Sequence, residues 1–278
     1  MTNFDTGITV VQDGYASVNG LDLYYERYSA RSVGTPLVLL HGGLGTIHMF
    51  ETLLPLLASG RPVIGVELQG HGHTALGSRP LNFEAMGDDL AALIKHLGLA
   101  QVDLLGYSLG GGAAWQTAIR HPEVVRKLVA VSAPIRRSGW YPEVLAGMAA
   151  MNAESAQAML GSPMYADYAA AAPNPQDWPA LVAGVGELLK QDYDWSQAVS
   201  GLKVPALIVI GDGDSLRPAH AVEIFELLGG GKTDGRPDGM GLPPSRLAIL
   251  PSTTHYNILY SPLLAPTLIS FLDAQPRR

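Results

Sequence analysis

The chain predicts an α/β fold, a mostly parallel, doubly wound sheet with helices on both faces, and three features predict it. Short apolar runs recur along its length, helix-like stretches alternate with them, and a glycine-flanked serine marks one junction between the two. Near-continuous apolar runs suit strands covered on both faces, which is the condition of a parallel sheet. Strands alternating with helices are the signature of βαβ units.

The elements follow in order. Residues 16–28 alternate apolar and polar side chains on either side of Asn19-Gly20, a dipeptide that accepts the positive φ values of a type I′ turn, so a β-hairpin is expected first. Apolar runs bounded by Gly, Pro or polar residues predict strands at 37–40, 63–68, 102–105, 128–131, 206–210 and 247–250. Between and after them, helices are expected at 48–57, 83–97, 109–120, 218–228 and 262–272. The rhythm stops over 133–201, where an Ala- and Met-rich composition is punctuated by Pro142, Pro163, Pro173, Pro175 and Pro179. This predicts a helical cap inserted at 133–201 into a core made of 1–132 and 202–278. Residues 229–245 are too rich in Gly and Pro to bury much apolar surface, and a mobile surface excursion is expected there. No internal repeat is found.

Composition narrows the chemistry. A chain of 278 residues suits one large domain with an insertion, and 47% apolar against 15% charged residues provides a sizeable core. The net charge of -7, with no clustered Lys and Arg, argues against a nucleic-acid partner. Zero Cys excludes disulfides, thiolate metal sites and a cysteine nucleophile together. The N-terminal stretch lacks a basic segment followed by an apolar one, and no run reaches the roughly 20 apolar residues of a membrane span. The expectation is a cytoplasmic protein without a membrane partner, and homo-oligomerisation stays open.

Gly106-Tyr107-Ser108-Leu109-Gly110 fits G-x-S-x-G and falls where a predicted strand gives way to a helix. The pentapeptide alone is common, but in that setting it is a sharp turn that forces the serine into the open, with glycines removing the Cβ atoms that clash. The start of the helix puts the Leu109 amide beside Ser108, where it can donate to an oxyanion. His41-Gly42-Gly43-Leu44-Gly45 follows an early strand, and the Gly43 amide is the expected second donor. His41 itself is read as scaffold. Gly111 and Gly112 are read as close helix packing. A serine hydroxyl needs a base, and the base needs a carboxylate to orient it. Candidates lie after two later strands: Asp212 or Asp214 in Gly211-Asp212-Gly213-Asp214, and His255 after Thr253-Thr254. Both loops fall at carboxyl ends of strands, the edge where open α/β sheets gather catalytic groups.

Taken together, HGG after an early strand, GYSLG at the turn, GDGDSLRP after a later strand and a final TTHY resemble the α/β-hydrolase fold superfamily over essentially 21–272. The resemblance implies an α/β-hydrolase fold with Ser108 as nucleophile, His255 as base and then acid, and Asp214, by the family's G-x-x-D pattern, orienting His255. Asp212 is left to stabilise the turn. Residues 67–73 resemble the family's D-x-x-G-x-G loop, with Glu67 where Asp is usual. His71-x-His73 is read as part of that turn and not as a metal site, and the remaining histidines as structural. No metal or cofactor is expected, since triad and amides supply nucleophile, proton transfer and charge stabilisation.

The substrate expectation is a small, mainly apolar carboxylic ester. The cap supplies Trp140, Tyr141, Met148, Met164 and Tyr165 as candidate pocket residues, alongside Met151, Met159, Tyr168 and Trp178. Arg136 and Arg137, at the start of the cap, are read as surface residues, with a substrate carboxylate as the alternative. By resemblance, a serine nucleophile argues against haloalkane dehalogenase and epoxide hydrolase chemistry. Leu109 stands where proline iminopeptidases usually carry Trp. Lactonase, thioesterase, perhydrolase and carbon–carbon bond hydrolase activities fit the same triad, and a non-catalytic ligand-binding protein is the reading from another class.

Overall fold

The computed structural model describes residues 10–28 and 34–275. The hairpin forms from β1 (Val10–Val18) and β2 (Leu21–Tyr28), joined by Asn19 and Gly20 at φ 48° and 82°, as a type I′ turn requires. The strand β1 begins earlier than expected, because most of its first half faces solvent and carries little apolar signal. Next come β3 (Leu37–Leu40), α1 (Leu54–Ala58), β4 (Val63–Val66), α2 (Phe83–His96), β5 (Val102–Tyr107), α3 (Leu109–Arg120) and β6 (Val125–Val131). Helices α4 (Pro142–Ala149), α5 (Ser155–Ala158), α6 (Pro163–Ala171), α7 (Trp178–Lys190) and α8 (Ser196–Ser200) separate β6 from β7 (Ala206–Gly213). The chain closes with α9 (Pro218–Leu227), β8 (Arg246–Thr254) and α10 (Leu264–Asp273).

The strand order is β1-β2-β4-β3-β5-β6-β7-β8. The pairs β1/β2 and β2/β4 are antiparallel, and every pair from β3/β4 onward is parallel. Side chains of β3 alternate between two cores: Val38 and Leu40 join the α2 and α3 layer around Leu90 and Trp115, while Leu37 and Leu39 join the α1 and α10 layer around Leu57 and Leu268. This two-sided burial is why the strands read as continuous apolar runs.

Two expected elements differ. The helix expected at 48–57 is a 3-10 turn, Ile47–Phe50, followed by the short α1, because Pro55 has no N–H to continue a helix through it. The strand expected at 63–68 stops at Val66, since the Leu68 amide turns away to donate to His41 Nε2 at 3.1 Å. Residues 229–245 form turns closed by bonds such as Gly230 N–H to Phe225 O and Gly241 N–H to Gly235 O.

The helices between β6 and β7 are held to the sheet by α7. Its Trp178, Leu181, Val182, Val185 and Leu188 recur at helical spacing and are buried in the α2 and α3 core. The segment's first strap is tied to α9: Arg136 makes a two-pronged ion pair with Glu223, and the Arg217 amide donates to Gly139 O. Of the core range expected from the sequence, residues 1–9, 29–33 and 276–278 lie outside the described residues.

Candidate active site

The site starts from a sterically demanding turn. Between β5 and α3, Ser108 takes φ 53° and ψ -117°, a conformation that costs a non-glycine residue about 1–3 kcal/mol. Its neighbours must be glycine: a Cβ on Gly106 would lie 2.3 Å from Gly110 O, and one on Gly110 would lie 2.4 Å from the carbonyl oxygens of Leu40 and His41. The turn is thus packed into the end of β3, and Ser108 is left facing a cavity. Gly111 faces the Ala133 methyl and Gly112 the Phe83 ring, the close packing expected of them.

The carboxyl ends of β7 and β8 bring the other groups to Ser108. His255 Nε2 lies 3.1 Å from Ser108 Oγ, and His255 Nδ1 lies 3.1 Å from Asp214 Oδ1. An ionised carboxylate only accepts, so Nδ1 carries the proton and Nε2 is free to accept from the serine hydroxyl. Asp214 is fully buried at its side chain and also accepts from Ser132 Oγ at 2.5 Å, the Gly211 amide at 3.0 Å and the Leu216 amide at 3.1 Å. Burial pushes the Asp214 carboxyl up, but the bonds from His255, Ser132 and Gly211 outweigh burial and hold it below the ordinary range. Asp212 points elsewhere: it accepts from the Ser252 and Thr253 amides, both at 3.0 Å, and fixes the end of β8.

Three further residues support the triad. Ser132 sits at φ 52° just past β6, where nothing in the sequence distinguishes it. The Tyr107 hydroxyl donates to His255 O at 2.7 Å, and the Trp140 ring stands edge-on to the imidazole with centroids 5.5 Å apart.

Gly43 and Leu109 both line the cavity beside Ser108. The loop carrying Gly43 is cross-braced to the 67–73 loop by two buried imidazoles. His41 donates to Gly42 O at 2.8 Å and accepts from the Leu68 amide, while His71 donates to Gln69 O at 2.9 Å and accepts from the Leu44 amide at 3.0 Å. Each histidine therefore belongs to one loop and holds the other. Burial pushes His41 down to about 3, helped by His71 alongside, and burial pushes His71 down to about 4, so both are neutral acceptors at physiological pH. His73 pairs with Glu67 Oε2 at 2.9 Å, a bond that raises the imidazole above its ordinary value. Among the described residues, no group of three or more His, Asp or Glu is arranged to hold a metal ion.

The cavity has a volume of about 520 Å³. Besides Ser108 and His255, its walls include Phe83, Trp140, Val144, Met148, Met151, Met159, Met164, Val185, Leu189 and Tyr193, with Glu143 and Tyr256 also lining it. Of the candidate pocket residues, Trp140, Met148 and Met164 line it. Tyr141 and Tyr165 do not. Trp140 and Tyr141 are both extended, so their side chains leave the chain on opposite sides. Tyr165 follows Met164 on α6, about 100° further around the helix, and packs edge-on against Trp178 with centroids 5.5 Å apart. Arg136 is held by Glu223, the Arg137 Nε–H donates to Leu189 O at 3.1 Å, and neither lines the cavity.

The sequence pattern described as the alpha/beta hydrolase fold matches residues 35–233. The chain belongs to the α/β-hydrolase fold family. A pimeloyl-[acyl-carrier protein] methyl ester esterase of Neisseria meningitidis is 39% identical over 126 residues, covering 45% of this chain and 47% of that protein. A proline iminopeptidase of Clostridioides difficile is 32% identical over 163 residues, covering 57% of this chain and 56% of that one. The chain thus matches about half the length of these α/β-hydrolase relatives. Among solved structures, an enol-lactonase from Burkholderia xenovorans aligns with a TM-score of 0.71 at 22% identity over 94% of this chain and 100% of that one. A Bacillus subtilis carboxylesterase aligns with a TM-score of 0.70 at 21% identity over 95% and 92%. At such identities the structural likeness establishes the fold alone. No helix among the described residues is long and apolar enough to cross a membrane.

Proposed function

We propose that this α/β-hydrolase is a serine hydrolase that cleaves a small, mainly apolar carboxylic ester through an acyl-enzyme intermediate. The observation that carries the reading is the unbroken chain of contacts from Asp214 through His255 to Ser108 Oγ, opening into a largely apolar cavity. The similarity to a methyl ester esterase over part of the chain supports the same bond type.

In this reading Ser108 Oγ attacks the ester carbon while His255 Nε2 takes the hydroxyl proton, and Asp214 steadies the resulting imidazolium. The carbonyl oxygen becomes an oxyanion held by the Gly43 and Leu109 amides. Collapse breaks the bond to the alcohol oxygen, which leaves with the proton from His255. Water, deprotonated by the same imidazole, then attacks the acyl-serine, and the carboxylic acid departs as the Ser108 hydroxyl is restored. The inserted helices act as a cap that keeps bulk water from the acyl group. A carbon–carbon bond hydrolase is disfavoured, since Arg136 is committed to Glu223 and neither Arg136 nor Arg137 lines the cavity to hold a substrate carboxylate.

The test is covalent labelling with a fluorophosphonate alongside hydrolysis of short p-nitrophenyl esters. Wild type labels at Ser108 and turns over, whereas Ser108→Ala does neither. Folded wild-type protein inert to both reagents points instead to ligand binding without catalysis.

A further inference from the structure

We propose that the cavity is a charge filter for its substrate, accepting uncharged acyl esters and rejecting those with a free carboxylate, and that Glu143 at its mouth is the specificity-determining residue. The inference rests on the serine-hydrolase reading above and names the substrate class of that site.

Among the described residues, no lysine or arginine lines the cavity. Of the two arginines at the start of the cap, Arg136 is paired with the Glu223 carboxylate, and Arg137, with its Nε–H on Leu189 O, does not line the cavity. What the walls offer a substrate tail is neutral polar groups, such as the hydroxyls of Ser215 and Tyr193 and the indole of Trp140. A carboxylate moved from water into such walls loses its hydration and gains no counter-charge, which is unfavourable. The four methionines, Met148, Met151, Met159 and Met164, offer the opposite surface: unbranched and polarisable, they conform to alkyl or aryl groups of varied shape without asking for a polar partner.

Glu143 adds a gate to this wall. It lies in the first turn of α4, is exposed, and lines the same cavity as Ser108, which puts a carboxylate at the opening. Exposed Tyr256, 78% accessible and edge-on to His255, marks the same rim. The net charge of -7 adds a long-range repulsion of an anionic ester on approach to the desolvation it meets inside.

The experiment compares two substrates that differ by one group, dimethyl and monomethyl heptanedioate, by kcat/KM at low ionic strength on wild type, Glu143→Gln and Glu143→Lys. Wild type is expected to prefer the diester by about 100-fold or more, the scale of an unpaired buried charge. Glu143→Gln narrows that ratio by about 3- to 10-fold and Glu143→Lys narrows it further, and added salt narrows it in wild type more than in Glu143→Gln. Equal kcat/KM for the two esters, or a ratio that neither substitution moves, overturns the filter while fluorophosphonate labelling of Ser108 leaves the hydrolase reading intact. Failure of that labelling removes both.

Discussion

Ser108 and His255 lie 147 residues apart along the chain and Asp214 and His255 41, yet each of the three is the first residue beyond a strand's carboxyl end, and the parallel sheet brings those ends together. At this scale the choice between two nearby carboxylates is the sharpest point. Asp214 touches the imidazole, whereas Asp212 caps the amides of Ser252 and Thr253. We therefore expect Asp214→Asn to lower kcat by about 10²- to 10⁴-fold, because it favours the wrong imidazole tautomer. Asp212→Asn is expected to lower kcat by less than about 10-fold, its cost falling on the turn, where one lost hydrogen bond is worth ~1 kcal/mol. Steady-state kinetics with thermal melts of both variants distinguishes them, and the reverse ranking would reassign the acid.

The junction of β5, α3 and β3 shows how elements constrain the site. The helix approaches the end of β3 so closely that no Cβ fits at Gly110 between it and the carbonyls of Leu40 and His41. Backbone cannot yield as a flexible side chain can. Gly110→Ala is expected to destabilise the protein by about 2–4 kcal/mol, as overpacking against rigid backbone does, and to lower activity more than its fold loss explains. Denaturant midpoints together with the labelling rate of Ser108 in the folded fraction check this. A variant with wild-type stability and wild-type labelling would show that α3 can slide without moving Ser108. The same contacts explain the sequence motif: the two glycines of G-x-S-x-G answer to other elements as well as to their own turn.

For the molecule as a whole, the paired imidazoles His41 and His71 link folding to acidity. Their folded-state values, about 3 and about 4, lie below the ordinary 6.5, so below pH 6.5 the unfolded chain takes up protons that the folded chain refuses. Stability therefore falls on acidification from about pH 6.5 to about pH 4, by up to roughly 1.4 kcal/mol per pH unit for each histidine. His73 has the opposite sign, being raised by Glu67, but its contribution is complete below pH 6.5 and does not offset the loss. Asp214, held low, contributes its own loss only below the ordinary carboxylate value of 3.8. Melting temperatures followed by circular dichroism should begin to drop near pH 6.5, and a flat profile down to pH 4.5 would contradict the neutral pair.

The sequence by itself determined the parallel sheet, the elbow at Ser108 and the order in which serine, acid and histidine appear. These features are short-range: two-sided burial writes continuous apolar runs, and a tight turn demands glycine at fixed offsets. Only the tertiary structure decided which cap side chains face the cavity, and it supplied the contact to His255 behind the family pattern's preference for Asp214. Asp212, near the end of β7, and Asp214, just past it, share one alternation parity, and the register shift between Gly211 and Gly213 against β8 lies outside any local pattern. Tyr141 and Tyr165 turn away although their neighbours Trp140 and Met164 turn inward, because rotation about an element's axis is set by what packs against it. The supports Ser132 and Tyr107 were hidden for the same reason, since a hydroxyl acquires its role from a partner more than eighty residues away along the chain.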